Sequence, residues 1–420
     1  MTNNAFVDER MVKVNMRKKI FLALTAAVLA LLLRWYAAIS LPTDYDEPVY
    51  FTAARYYEDA IRTGHLDRIP QVTYNYESPA LVKLVYGTVL SWLPSDGPLT
   101  DEVWAFFTFQ TPLNDTQDPF RIFLLRQVSV GFGTLEVVIL GLFSPIAALL
   151  LAIDSIAIKY SSVIYLEALP AFFSMASVLL FGLTLSWLRT RDKVSLRGQT
   201  KEALYLLLSA ICLGVAAAGK YQYGVVGLAI VIFFLIWIIR PRLTDPSRYA
   251  ILIGFVLITL LAFVAADPYL WPAPLGRLLH SLQFSLDYSR GEHVRATGYP
   301  FYQPLIWLSR SVPGFVNYPS QPMPSRGHEF IFQLDTLIFV LAITGLPRLF
   351  KNNPLVFTWL ITSIVFLLMW NTKWPQYVLL VVGPICIAAS DGVKTVMAMV
   401  LRIWSKMFIY FCTRREGKTK

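Results

Sequence analysis

The sequence predicts an all-α polytopic membrane protein of about ten transmembrane helices, and three observations carry that prediction. Hydrophobic residues make up 56% of the 420 residues and charged ones 15%, with a mean hydropathy of +0.53; soluble domains hold about 25% charge. Long uncharged runs supply the excess: Ile20 to Leu33, Ala203 to Ala218, Val225 to Ile239, Ile251 to Ala266 and Leu355 to Trp370. Each is near the length that crosses a hydrocarbon core of about 30 Å. Finally, lysine and arginine cluster in short loops between the runs, the mark of cytoplasmic loops.

The clusters set the orientation. Arg10, Lys13, Arg17, Lys18 and Lys19 precede the first run, and later clusters are Arg189 to Lys201, Arg240 to Arg248, Arg348 with Lys351, and Arg414 to Lys420. Spans at 20–41, 124–143, 145–164, 167–188, 203–219, 223–239, 249–266, 330–347, 354–370 and 375–391 put an even number of crossings between each pair. Both chain ends then lie in the cytoplasm. Lys18 and Lys19 before an apolar run with no small-residue cleavage site predict a retained anchor rather than a cleaved signal.

Parity leaves two long extracytoplasmic segments, 42–123 and 267–329. The first is rich in acid, and within it Pro48 to Ala60 and Ala80 to Trp92 have helical apolar spacing but are too short to span. They read as short helices lying along the outer interface. The second is dense in Tyr, Trp, Pro, His and Arg, and its His280, Arg290, His293, Arg295, Tyr299 and Trp307 offer stacking faces and hydrogen-bond donors for a mobile lid or, equally, a static cap. Residues 1–391 form one transmembrane domain, followed over 392–420 by an interfacial amphipathic helix and a basic cytoplasmic tail.

Some function classes are disfavoured. The net charge of +10 is spread over short loops instead of one basic domain, so no nucleic-acid partner is expected. Cys212, Cys386 and Cys412 lack disulfide-framework or zinc-ligand spacing. No internal repeat or matched pair of broken spans points to a secondary transporter.

Chemistry concentrates at the outer ends of the spans. Asp44, Asp46 and Glu47 follow the first run directly and open a short helix, which holds carboxylates near the membrane. A partly desolvated carboxylate there has a raised pKa and accepts a proton from a hydroxyl. Lys159, Lys220 and Lys373 stand at outer turns, and with Lys83 and Arg126 they could surround an anion such as a lipid phosphate. Each is equally compatible with a lysine reaching for headgroups. Glu167 beside Pro170 is a functional candidate at the outer start of the fourth span, and a helix N-terminus also favours a carboxylate for structural reasons.

At these residues the sequence resembles the GT-C glycosyltransferases, in particular family 39, the branch of protein O-mannosyltransferases and the lipid A aminoarabinose transferase. Asp44-Tyr45-Asp46-Glu47-Pro48-Val49-Tyr50 is similar to that branch's Asp-Glu motif, and Tyr76-Glu77-Ser78-Pro79-Ala80-Leu81 to its Pro-Pro-Leu element, with Ala80 in place of the second proline. Ala218-Gly219-Lys220-Tyr221, Asp267-Pro268-Tyr269 and Thr372-Lys373-Trp374-Pro375-Gln376-Tyr377 resemble further turns of these enzymes.

The resemblance implies an inverting transfer of mannose or another hexose from a polyprenyl-phosphate-linked sugar donor to a protein, lipid or glycan acceptor. It places the reaction at the outer face of a multi-pass protein in a prokaryotic plasma membrane. Asp46 would act as base and Glu47 beside it. Tyr45, Glu77, Lys83, Arg126, Glu167, Lys220, Arg290, His293, Lys373 and Tyr377 would bind substrate, Lys373 contacting the donor phosphate. The transfer would be metal-independent or weakly metal-linked; Glu47 and Glu167 would position the acceptor or sugar, or hold a divalent cation if one is used. The alternatives are a polytopic transporter and a non-catalytic protein that binds lipid-linked sugar.

The orientation is open to direct test. Single cysteines at Thr116 and Ser320 react with an impermeant thiol reagent in intact cells, while one at Ser195 does not; labelling at Ser195 alone reverses the topology.

Overall fold

A computed structural model of the chain describes residues 3–94, 97–100, 104, 118–190, 200–239, 247–310 and 334–416. Thr116, Ser195, Ser320 and the basic residues Arg191, Lys193, Arg197, Arg240, Arg242, Lys418 and Lys420 lie outside the described residues.

The described chain is helical: α1 (Asn3–Ser40), α2 (Glu47–Arg62), α3 (Leu81–Ser91), α4 (Pro119–Phe143), α5 (Pro145–Ile153), α6 (Ser155–Tyr160), α7 (Ala168–Thr190), α8 (Thr200–Gly219), α9 (Val226–Ile239), α10 (Ser247–Ala266), α11 (Pro274–Ser289), α12 (Glu292–Thr297), α13 (Gln303–Ser309), α14 (Asp335–Asn352), α15 (Pro354–Met369) and α16 (Leu379–Glu416). Several starts are written locally as a capping residue followed by proline. Asp118, Ser144 and Asn353 accept from backbone N–H groups of the first turn, and Pro119, Pro145 and Pro354 follow them. Proline gives up no intrahelical bond at that position.

Six described helical segments are long and apolar enough to cross a membrane: Lys19–Ser40, Pro119–Phe143, Ala168–Leu185, Thr200–Gly219, Arg248–Ala266 and Pro375–Met407. About ten spans were expected; six meet this length and composition among the described residues. The span expected at 145–164 is two short helices, α5 and α6, because Asp154 ends the first and caps the second through the N–H of Ala157. The spans expected near 223–239 and 354–370 form shorter apolar helices, Tyr221–Ile236 and Pro354–Met369. The change expected at residue 391 falls inside one unbroken helix, α16.

The two interfacial helices form at the expected places, as α2 and α3, but α2 does not lie on a surface. Every residue from Tyr50 to Ala60 is buried. Its Glu58 is held by Arg55 at 2.5 Å and Arg62 at 2.9 Å, with Arg121 of α4 at 3.7 Å. Burying acid among arginines is tolerable because the charges are paired. Elsewhere helices meet through small residues. A Cβ on Gly345 of α14 would stand 1.9 Å from the carbonyl oxygen of Ala388, and one on Gly392 of α16 would stand 1.9 Å from that of Leu341. Gly214 of α8 meets Thr259 of α10 in the same way. Without water between helices, such close approach is the main source of attraction.

Gly345→Val therefore forces α14 and α16 apart. Overpacking of this kind costs about 1–3 kcal/mol, so the variant melts earlier than wild type in detergent, whereas Gly254→Ala, with open space around it, melts with wild type.

Candidate active site

The outer end of α1 is organised by one arginine. Arg126 of α4 is buried and uses all its donors: Nε and Nη2 bind the two oxygens of Glu47 at 2.8 and 2.6 Å, Nη1 binds the carbonyls of Ala38 and Leu41, both at 2.8 Å, and Nη2 also binds that of Pro42 at 2.9 Å. These are carbonyls that the end of a helix leaves without partners. Glu47 is equally committed, accepting in addition from the N–H of Ile164 at 2.8 Å and of Asp44 at 2.7 Å. The pair thus locks α1, α2, α4 and the loop after α6 together.

That frame positions Asp46. It stands at the N-cap of α2 without capping it, for two local reasons. Its backbone is helical (φ −86°, ψ −14°) rather than extended, as a capping residue requires. Pro48, two residues on, has no N–H to offer. The carboxyl instead lines a cavity of about 930 Å³. Burial, chiefly, and the neighbouring Asp44 push its pKa up to about 6. Asp44, by contrast, is neutralised: Lys159 lies 3.1 Å from one oxygen, and Tyr165 Oη (2.8 Å) and the N–H of Tyr45 (2.7 Å) donate to the other.

The cavity gathers residues distant in sequence. Asp46, Tyr45, Glu77, Lys220, His293 and Tyr377 line it, six of the residues singled out from the sequence. Lys220 is ion-paired to Glu167, and its Nζ sits 4.8 Å from the centre of the Tyr377 ring. Glu167 is fully buried behind it, with Oε2 making no hydrogen bond among the described residues. Glu77 comes from a turn that Lys83 braces: Lys83 Nζ donates to the carbonyls of Asn75 (2.6 Å) and Ser78 (2.8 Å), and Asn75 has a left-handed backbone (φ 56°). Burial raises the Glu77 carboxyl. Asp267, just past α10, accepts from the N–H of Ala80 at 3.0 Å and from Tyr221 Oη at 3.3 Å. It ties the two outer segments together, and burial pushes its pKa up to about 6.

Other expected site residues are not among those that line the cavity. Lys373 is buried, and Nζ donates to the carbonyls of Leu367 (2.9 Å), Leu368 (3.1 Å) and Trp370. Its three protons close the end of α15, so its geometry is that of a helix-terminating cation and not of a phosphate ligand. Arg126 and Lys83 are committed in the same manner. Arg290 is exposed beyond α11. Sequence reasoning overlooked Gln222, Tyr288 and Gln376, which also line this cavity, and Tyr165, which lines a small pocket that shares Asp46 with it. Gln222 and Gln376 sit in turns flanked by Lys220 and Lys373, and that proximity was the available signal.

The donor set does not fit a metal on Glu47 and Glu167. The oxygens of Glu47 are occupied by Arg126 and two backbone N–H groups, and Glu167 faces Lys220. No group of three or more His, Cys, Asp or Glu side chains stands together to hold an ion among the described residues.

No family model and no curated protein matches the chain. Solved structures do. ArnT from Cupriavidus metallidurans bound to undecaprenyl phosphate matches 88% of this chain and 60% of its own, at 13% identity and a TM-score of 0.55. The Archaeoglobus fulgidus oligosaccharyltransferase in its apo form matches 92% and 52%, at 12% identity and a TM-score of 0.51. The S. cerevisiae protein O-mannosyltransferase Pmt1-Pmt2 complex bound to the sugar donor matches 62% and 34%, at 18% identity and a TM-score of 0.43. The likeness to the first two shows that this chain shares their fold. The chain spans between 34% and 60% of the length of these proteins.

Removing one partner of the Glu47–Arg126 pair strands a buried charge, which costs on the order of 3–5 kcal/mol. Arg126→Met accordingly lowers the melting temperature and the folded yield much more than Arg290→Met at the exposed position; equal melting of the two variants would contradict the framing role.

Proposed function

We propose that the protein is an inverting glycosyltransferase of the family 39 branch. It moves a hexose, mannose or another, from a polyprenyl-phosphate donor to an acceptor hydroxyl at the extracytoplasmic face. The observation that carries the reading is the Asp46 carboxyl, left uncapped at the head of α2, lining the same cavity as Lys220. The GT-C fold supports it, and ArnT, which shares that fold, binds undecaprenyl phosphate.

In this mechanism Asp46 takes the proton of the acceptor hydroxyl as its oxygen bonds to the anomeric carbon. The bond from that carbon to the phosphate oxygen breaks, and the electron pair leaves with the polyprenyl phosphate. Attack from the face opposite the leaving group inverts the anomeric configuration. Lys220 stabilises the charge growing on the phosphate, a role in which a fixed cation in a partly dry site contributes most. It takes the part expected of Lys373, whose protons are spent on α15. Glu167 and Tyr377 orient Lys220. Glu47 acts through Asp46, as a positioning residue. Glu77 and His293 offer acceptors and donors to the sugar hydroxyls.

A base must be deprotonated to act, so with a pKa of about 6 for Asp46 the rate rises with pH and levels off above that value. Purified protein in lipid, given a polyprenyl-phosphate hexose and candidate acceptors, releases lipid phosphate along this profile. Asp46→Asn lowers turnover by about 10²- to 10⁴-fold and removes the limb, while donor binding is kept. Turnover near wild type in the folded variant would sink the assignment of Asp46 as base, and no phosphate release under any donor would sink the transferase reading.

A further inference from the structure

We infer that the outer helix α11 carries a separate subsite for a neutral sugar ring of the acceptor, beside the reaction cavity; this rests on the transferase reading. An open groove of about 300 Å³ runs along α11 and is lined by Tyr76, His280, Gln283, Phe284, Asp287 and Tyr288. Five of these six are on α11 at positions i, i+3, i+4, i+7 and i+8, which is one face of a helix. The opposite face presents Leu275, Leu279, Leu282 and Leu286, all exposed. The groove face is turned away from that leucine stripe, of which Leu282 also borders the 930 Å³ cavity.

The groove has the two features that sugar binding needs. Its aromatic surface is ordered: Tyr76 and His280 stack at 4.5 Å with 13° between planes, and Phe284 and Tyr288 lie nearly parallel, at 11° and 6.3 Å. The backbone of Tyr76 is pinned to the same helix by Ser281 Oγ, which donates to its carbonyl at 2.9 Å. The C–H face of a pyranose packs on such surfaces, while its hydroxyls need donors and acceptors around the rim. His280, Gln283 and Asp287 supply them, and their side chains make no hydrogen bond among the described residues.

The chemistry also excludes other ligands. No lysine or arginine lines the groove, and Asp287 repels phosphate or carboxylate. A purely apolar guest would cover Asp287 and Gln283 without satisfying them. Phe284 and Tyr288 line both the groove and the 930 Å³ cavity, so a ring held here is adjacent to the space where Asp46 works. The acceptor class this favours is a glycan whose penultimate sugar is recognised while its terminal hydroxyl reacts.

Binding can be read without catalysis. The protein in nanodiscs free of glycoside detergent is titrated with mannotriose, maltotriose and chitotriose, and saturation-transfer NMR reports contact and affinity. At least one trisaccharide binds saturably, and Gln283→Ala and Asp287→Ala each weaken it about tenfold. Both positions are exposed, so the variants fold, and their melting temperatures check this. Absence of binding by all three, or equal binding by wild type and both folded variants, overturns the subsite. So does displacement of the bound sugar by an unglycosylated serine-rich peptide that binds more tightly and shows the same dependence on Gln283 and Asp287. Phosphate release from the donor is measured separately on wild type: release without trisaccharide binding defeats the subsite alone, and binding without release under any donor defeats the transferase reading alone.

Discussion

The buried pair of Arg126 and Glu47 is the constraint on which the rest of the site depends. Two charges at the edge of a membrane are expensive to desolvate, and they persist only where every donor and acceptor is matched. Here the arginine meets both oxygens of the glutamate and three carbonyls at the end of α1, and the glutamate also binds two backbone N–H groups. The direction in which the chain leaves α1 and enters α2 is thereby set. Asp46 is held one residue before Glu47, and its own carboxyl lines the cavity.

A second theme is the division of labour among cations at the outer ends of the helices. Helix C-termini expose carbonyls, and near lipid there is little water to satisfy them. Lys373 and Arg126 fill that need, Lys83 braces a turn, and Lys159 neutralises Asp44. Lys220 differs because its partners, Glu167 and Tyr377, hold it at the cavity wall. A cation so placed has a counter-charge on one side and open volume on the other.

The outer segments add a polar and aromatic cover to this charged floor. Asp267 joins the turn before α3 to the turn after α8, and the rings of α11 continue the wall outward. Different residues of the same loops thus do different work: hydrogen-bonded acids and lysines hold the frame, and the rings of Tyr76, His280, Phe284 and Tyr288 pack on one another along the wall.

Much of the fold was legible in the sequence because burial in lipid demands long apolar runs and helices satisfy their own backbones. The runs near residues 20, 203, 251 and 355 all became helices at the expected places, as did α2 and α3. The acidic motif after the first span was legible too, and Asp46 does line the cavity. What hydropathy could not decide is where an apolar stretch breaks, as at Asp154, because a short polar cap weighs little in an average over a span. Nor could it tell a lysine facing a cavity from one facing a carbonyl. Lys220 and Lys373 stand in similar lysine-aromatic turns, yet only the packing of α7, α15 and the outer loops assigns one to the cavity and the other to a helix end. Residue type fixes which hydrogen bonds a side chain can make; the tertiary arrangement selects which partner is within the roughly 3 Å that a hydrogen bond spans.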